Sequence, residues 1–253
     1  MTVGNPHQRA DIIVARNLAN YGSDWSAREY SREVGLRPVE AALVDRHFPP
    51  PPAAVLDIGC GAGRTSIALH ERGYRVVAID LAESLLSIGR ARYPGIDFRL
   101  VDARHLEFPD ATFDAAIFSY NGIDVIYPEA GRVLSMKETA RVLRPGAPFI
   151  LSSHNLIGAL CCAGPWYMRG HLQSAKFLAR QLANPRAREW YLRYNDGGGD
   201  QWLYSAPPSH TIRQLESTGF SVTTVCGDDG LSGLSTWQAT TRYQHVHFAA
   251  RKL

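Results

Sequence analysis

Several acids and histidines in this chain stand where apolar runs end, and each has chemistry open to it. Asp57 closes the run AAVLD and precedes three glycines in five positions, Gly59, Gly61 and Gly63. Asp80 closes a second run, YRVVAID. A buried carboxylate ahead of a glycine turn repels a pyrophosphate but can bind an ammonium group. His154 follows PFILSS, at the carboxyl end of a strand where open α/β sheets bind ligands. Its ordinary pKa of about 6.5 lets it accept a proton near neutral pH, so it is the leading candidate for a general base. Asp124 and Tyr127, in the loop after FDAAIFSY, are the next candidates. His210 begins a helix and reads as a neighbour of its cap. His245 and His247 alternate in the last strand and face one way, but no third ligand accompanies them, so no metal site is expected.

The elements that must position these residues follow from the apolar pattern. AAVLDI reads as a strand buried on both faces and RTSIALHERG as a helix stopped by Gly73. Strand and helix then alternate: YRVVAID, AESLLSIGRARY, IDFRLVDA, FDAAIFSY, GRVLSMKETARVL and PFILSSH. Strict alternation implies right-handed crossovers and a mostly parallel sheet with helices on both faces. The four prolines at 49–52 form a stiff joint ahead of the first strand, after helical spacing over 6–20 and 24–47. The alternation lapses into helical and loop sequence between about 155 and 207. It resumes with TIRQLESTGF, SVTTVCG and RYQHVHFAARK, whose last two runs are expected to pair antiparallel at the sheet edge.

A glycine turn that opens a helix attracts anions through its first N–H groups, which by itself fits several nucleotides. The spacing is more selective. Dinucleotide folds use G-x-G-x-x-G, whereas this chain has G-x-G-x-G, and no P-loop motif is present. The stretch VLDIGCGAGRTS resembles the first motif of the class I, Rossmann-like S-adenosylmethionine (SAM) dependent methyltransferases. VVAIDLAESLL is similar to their second motif, VDARHLEFPDATFDAAIFSY to their third and fourth strands, and ETARVLRPGAPFILSSH to the helix, turn and strand that follow. The resemblance covers roughly residues 53–154 and thins out on either side.

That resemblance implies an α/β, doubly wound, mostly parallel seven-stranded sheet with an antiparallel edge hairpin, a helical N-terminal segment and a lid insertion. It also implies roles. Gly59, Cys60 and Gly61 would lie against the methionine part of SAM, with Asp57 near its amino group or bracing the turn. Asp80 would accept both ribose hydroxyls, and Leu81 would pack on the adenine. Asp102 and Ala103 would meet the adenine edge, while Ser119 and Tyr120 would line the methyl-transfer side. The whole chain reads as one domain: 1–52 a helical segment, 53–154 the SAM-binding core, 155–207 a lid or substrate insertion, 208–253 the rest of the sheet.

The acceptor is less determined. Net charge is +3 over 253 residues with no long Lys/Arg run, and SYNGIDVIYP replaces the [DN]-P-P-[YF] motif of enzymes that methylate nucleic-acid bases. A small molecule, methylated on oxygen or nitrogen, is expected rather than nucleic acid. Residues 166–204 carry eight aromatics and six Arg/Lys against three acids, which suits a flat or sugar-bearing acceptor with a phosphate or carboxylate. An equally good reading is a small cap with a core of its own. NDGGGDQ at 195–201 reads as a lid hinge. No segment approaches 18 apolar residues, no signal-peptide stretch opens the chain, and the four cysteines lack CxxC spacing. These imply no membrane span, a cytoplasmic location and reduced, structural thiols. Two other function classes stay open: a SAM-binding partner protein without activity, and an NAD(P)-dependent oxidoreductase on a similar sheet. Monomer and homodimer are equally compatible with the sequence.

Overall fold

The computed structural model describes residues 6–162, 172, 175, 176, 179, 190–195, 199–230 and 234–253. Its centre is a seven-stranded sheet ordered β3-β2-β1-β4-β5-β9-β8. The strands are β1 (Ala54–Ile58), β2 (Arg75–Asp80), β3 (Asp97–Leu100), β4 (Ala115–Phe118), β5 (Pro148–His154), β8 (Phe220–Cys226) and β9 (His245–Lys252). The first five pair in parallel, and β9 pairs antiparallel with both β5 and β8, as the closing runs of the sequence led one to expect.

Because β1 is flanked on both sides and covered on both faces, its side chains alternate between two apolar layers. Leu56 and Ile58 join the layer with Met136 and Ala140 of α6 (Glu129–Val142) and Leu215 of α8 (Pro208–Ser217). Val55 joins the opposite layer, with Leu43 of α3 (Pro38–His47), Ile67 and Leu69 of α4 (Arg64–Glu71) and Leu86 of α5 (Glu83–Arg92). Helices on both faces of a mostly parallel sheet make the fold doubly wound. Strand order reverses between β1 and β4, and ligands of such sheets bind outside the carboxyl ends of the strands at that point.

Ahead of the sheet, the helical stretch expected over 24–47 is two helices. α2 (Asp24–Tyr30) is capped by Ser23, whose hydroxyl accepts from the Ser26 N–H, and residues 31–37 separate it from α3. Preceding both is α1 (Pro6–Tyr21). In the insertion, α7 (Leu156–Cys162) follows β5. The segment then forms an antiparallel hairpin that the helical reading missed: β6 (Tyr191–Asn195) and β7 (Asp200–Tyr204), paired from Tyr191↔Tyr204 to Asn195↔Asp200. Of NDGGGDQ, expected as a hinge, Asn195, Asp200 and Gln201 belong to these strands, and residues 196–198 lie outside the described residues. So do Trp166, Tyr167, Arg169, Phe177, Arg180, Arg186 and Arg188 of the aromatic and basic segment.

The hairpin is fastened to α1. Asn17 Nδ2 donates to the Trp202 carbonyl at 3.0 Å and to the Val125 carbonyl at 2.8 Å, and its Oδ1 accepts from the Trp202 N–H at 2.8 Å. Trp190, Tyr191 and Tyr204 are buried with Ile13 of α1 and with Tyr127. The described part of the insertion is thus a packed element with a core shared with the main body. A short helix, α9 (Thr236–Arg242), with Ser235 and Gln238 forming its capping box, completes the chain before β9.

Candidate active site

The glycine turn begins as soon as β1 ends. Gly59, Gly61 and Gly63 take φ of 65°, 55° and 93°, a region that residues with a Cβ rarely enter. At Gly59 a Cβ would also stand 2.6 Å from the Phe118 ring, so backbone and β4 approach too closely for any side chain. The Cys60 N–H donates to the Ile79 carbonyl at 3.0 Å, which keeps the turn against the end of β2.

Asp80 holds the same turn from the other side. Its Oδ2 accepts from the Gly61 N–H at 2.8 Å and its Oδ1 from the Ala82 N–H at 2.8 Å. The carboxylate expected to serve two hydroxyls is therefore also the brace of the turn, with a further lone pair on each oxygen. Burial raises its pKa, and N–H donors from Ala82, Gly61 and Leu81 pull it back.

Asp57 points from β1 towards α4, fully buried behind the turn. Ser66 Oγ donates to its Oδ2 at 2.6 Å, whereas Oδ1 meets no hydrogen-bond partner. Burial pushes its pKa up to about 7, with the Ser66 bond and the Arg64 charge opposing the rise.

At the start of the loop after β3, Asp102 is already engaged. Arg104 clasps it with Nε at 3.0 Å and Nη2 at 2.6 Å, and the Arg104 N–H adds a third bond at 2.8 Å. Burial works against the charged carboxylate, but the Arg104 side chain and backbone hold Asp102 below the usual carboxylate range.

At the end of β4, Ser119 Oγ lies 2.8 Å from Thr65 Oγ1. Tyr120 and Asn121 follow in left-handed conformations, φ 54° and 58°, a rarity for non-glycine residues that clusters at functional sites. The turn swings the Tyr120 ring under the Arg37 guanidinium, 4.3 Å from the ring centre, and edge-on to Tyr30 at 6.1 Å.

One cavity joins these pieces. Its wall includes Gly59, Cys60, Gly61, Asp80, Leu81, Asp102, Ala103, Ser119 and Tyr120, all named from the sequence, and Tyr127 as well. Asp57 stands behind the wall. Sequence reasoning missed three contributors: Arg64, Arg104 and the N-terminal helices, which add Leu18, Tyr21 and Tyr30. Among the described residues none of 155–207 lines this cavity, and α1 and α2 cover it in part; most of the insertion expected as a lid lies outside the described residues. The signal for the helices was the i, i+4, i+7 spacing of Val14, Leu18 and Tyr21 beside a buried Asn17. It marks a face to be covered without telling what covers it.

The proposed proton-transfer residues divide. Tyr127 is in the wall, but Asp124 and His154 are not. Asp124 is fully buried and accepts four hydrogen bonds: from Arg132 Nη1 at 2.5 Å, Ser153 Oγ at 2.8 Å, the His154 N–H at 2.6 Å and His154 Nδ1 at 2.7 Å. An acid so committed cannot act as a base, which corrects that expectation; it orients His154 instead. The His154 ring leans edge-on against His245, centroids 5.2 Å apart. His245 Nδ1 and His247 Nε2 share Asp228, at 3.3 and 3.0 Å, and among the described residues no group of three or more potential ligands could hold a metal. His210 lies within α8, its ring 4.9 Å from that of Trp190. Cys60 and Cys226 are buried thiols, both pushed up by burial, Cys226 to about 11.

Residues 55–146 match the family model of the methyltransferase domain. The chain is 34% identical to the demethylmenaquinone methyltransferase of Renibacterium salmoninarum, over 57% of its own length and 60% of the relative's. It is 33% identical to the malonyl-[acyl-carrier protein] O-methyltransferase of Serratia marcescens, over 60% of its own length and 56% of the relative's. The chain spans about half the length of the curated relatives it matches. A solved SAM-dependent methyltransferase from Methanosarcina mazei superposes with a TM-score of 0.63 at 19% identity, over 87% of this chain and 99% of that one. The fold is the Rossmann-like fold found in solved SAM-dependent methyltransferases, and the match to the methyltransferase family model spans residues 55–146.

Proposed function

We propose that the protein transfers a methyl group from SAM to an oxygen or nitrogen of a small molecule held in the cavity described above. The observation that carries this reading is the wall itself: nine of the ten residues assigned to SAM from the sequence meet in one cavity, with two helices over it. The residues present suit the cofactor. Asp57 Oδ1 is a buried acceptor with no partner behind the wall, suited to an ammonium group through a bridging water, and the bare backbone at Gly59 leaves room where a Cβ would not fit. Asp80 keeps lone pairs for ribose hydroxyls while holding the turn. Bound there, SAM supplies a methyl group on a positively charged sulfur. The protein's own part is alignment: holding reactants in near-attack geometry contributes on the order of 7–11 kcal/mol. Ser119 and the pinned Tyr120 shape the end of the cavity beside β4, and α1 and α2 exclude water. Among the described residues no helix is long and apolar enough to cross a membrane.

Isothermal titration with SAM and with S-adenosylhomocysteine tests the reading. Binding of both, with NAD inert, is the expected outcome; NAD binding without SAM binding would transfer the site to an oxidoreductase. A methylated product detected by mass spectrometry separates an enzyme from a protein that only binds SAM.

A further inference from the structure

Charges around the cavity are matched one to one. Arg32 pairs with Glu29 at 2.9 Å, Arg37 with Glu33 at 3.9 Å, Arg64 with Glu40 at 2.7 Å and Arg104 with Asp102 at 2.6 Å. The remaining wall charge is Asp80, an acid already committed to the glycine turn. Among the described residues the wall therefore presents no uncompensated cation to an anionic acceptor. Of the basic residues in 166–204 whose composition suggested a phosphate or carboxylate, Arg169, Arg180, Arg186 and Arg188 lie outside the described residues.

What the wall offers instead is aromatic surface. Tyr21 and Tyr30 stack with ring centres 5.7 Å apart, and Tyr30 meets Tyr120 edge-on at 6.1 Å, so three rings run across the cavity from α1 to the end of β4. Leu18 and Tyr120 are 42% and 44% exposed within that wall, apolar surface that a ligand would cover. Offset and edge-to-face contacts with such rings favour flat partners. The left-handed backbone at Tyr120 and the Arg37 guanidinium over its ring fix the last of the three in place, so little ordering is left to be done on binding.

We propose that the acceptor is an uncharged, flat ring compound, an assignment that rests on the methyl-transfer reading of the same cavity. An ionised carboxylate or ammonium on the acceptor would be desolvated beside charges that already have partners, which penalises it. The test is calorimetric binding to the full chain in the presence of S-adenosylhomocysteine, with three probes: aminoquinoline, quinolinecarboxylate and cyclohexylamine. Near pH 8 the first, taken as the weakly basic 6-amino isomer, is a neutral flat ring, the second a flat anion and the third a cation without a flat ring.

Aminoquinoline is expected to bind at least about tenfold more tightly than either of the others. Glu40→Gln leaves Arg64 without its carboxylate and should raise the affinity for quinolinecarboxylate severalfold; Glu29→Gln, which exposes Arg32 in the same way, serves if the first variant does not fold. Equal or tighter binding of the carboxylate or the amine by the parent overturns the inference. So does a failure of aminoquinoline to bind while S-adenosylhomocysteine binds, or an unchanged carboxylate affinity in the variant. Failure of S-adenosylhomocysteine itself would instead bring down the methyl-transfer reading.

Discussion

Replacing Asp57 by Asn should abolish a loss of stability that the ligand-free parent suffers as pH rises towards about 7. The side chain is fully buried and burial lifts its pKa to about 7, against an ordinary value of 3.8. A carboxyl group whose folded pKa lies above its unfolded value stabilises the fold while protonated. Its contribution is complete below pH 3.8 and is lost as pH climbs through about 7. Between pH 5 and pH 7 the folded state holds a proton that the unfolded chain has released. Two pH units at 1.36 kcal/mol each give a loss of about 3 kcal/mol. Asparagine keeps the shape and can still accept from Ser66, but it does not titrate. Any constant cost of placing its amide group beside the position of Oδ1 cancels when two pH values are compared. Urea unfolding of both proteins near pH 5 and pH 8 measures the difference directly. The parent should lose about 3 kcal/mol more than Asp57→Asn over that interval. Parallel pH dependences in the two proteins would show that Asp57 is ionised in the fold at both pH values, and the argument from its burial would be wrong.

Four other outcomes follow from the geometry. Asp80→Ala removes the acceptor of two backbone N–H groups as well as of the ribose; hydrogen bonds to charged groups are worth about 1.5–3 kcal/mol, so SAM affinity should fall roughly 10–150-fold by calorimetry. Gly59→Ala places a Cβ 2.6 Å from Phe118 at positive φ and should cost about 1–3 kcal/mol in denaturant, with SAM binding lost; a neutral result would mean the turn relaxes freely. Arg132→Met leaves the buried Asp124 carboxylate uncompensated, for about 3–5 kcal/mol of stability, and adding Asp124→Asn should restore part of it. His154→Ala should keep kcat within about tenfold of the parent, because the ring lies outside the cavity wall; a loss of about 100-fold or more would make it the general base.

Local chemistry sufficed for the glycine turn and for the order of strands and helices. The runs AVLDI and RVVAID are strands because short, mostly apolar and β-branched stretches fill both faces of a buried sheet, and the turn between β1 and α4 is read from three glycines that must take positive φ. The positions of Asp80, Asp102 and Tyr120 at strand ends followed, since a parallel sheet sends all its carboxyl ends to one side. What those side chains hold did not follow. That Asp80 braces Gly61, that Asp102 is clasped by Arg104 and that Asp124 is spent on Arg132 depend on side-chain directions that spacing does not encode.

The cover was the larger surprise. An aromatic, basic segment between β5 and α8 suggested a lid; its described hairpin packs on α1, joined through Asn17 to Trp202 across 185 positions of sequence. The helical spacing of α1 was visible in the sequence, but it shows only that one face must be buried. What covers that face was settled by long-range packing, where the pairing that buries apolar surface and satisfies both edges of Asn17 prevails.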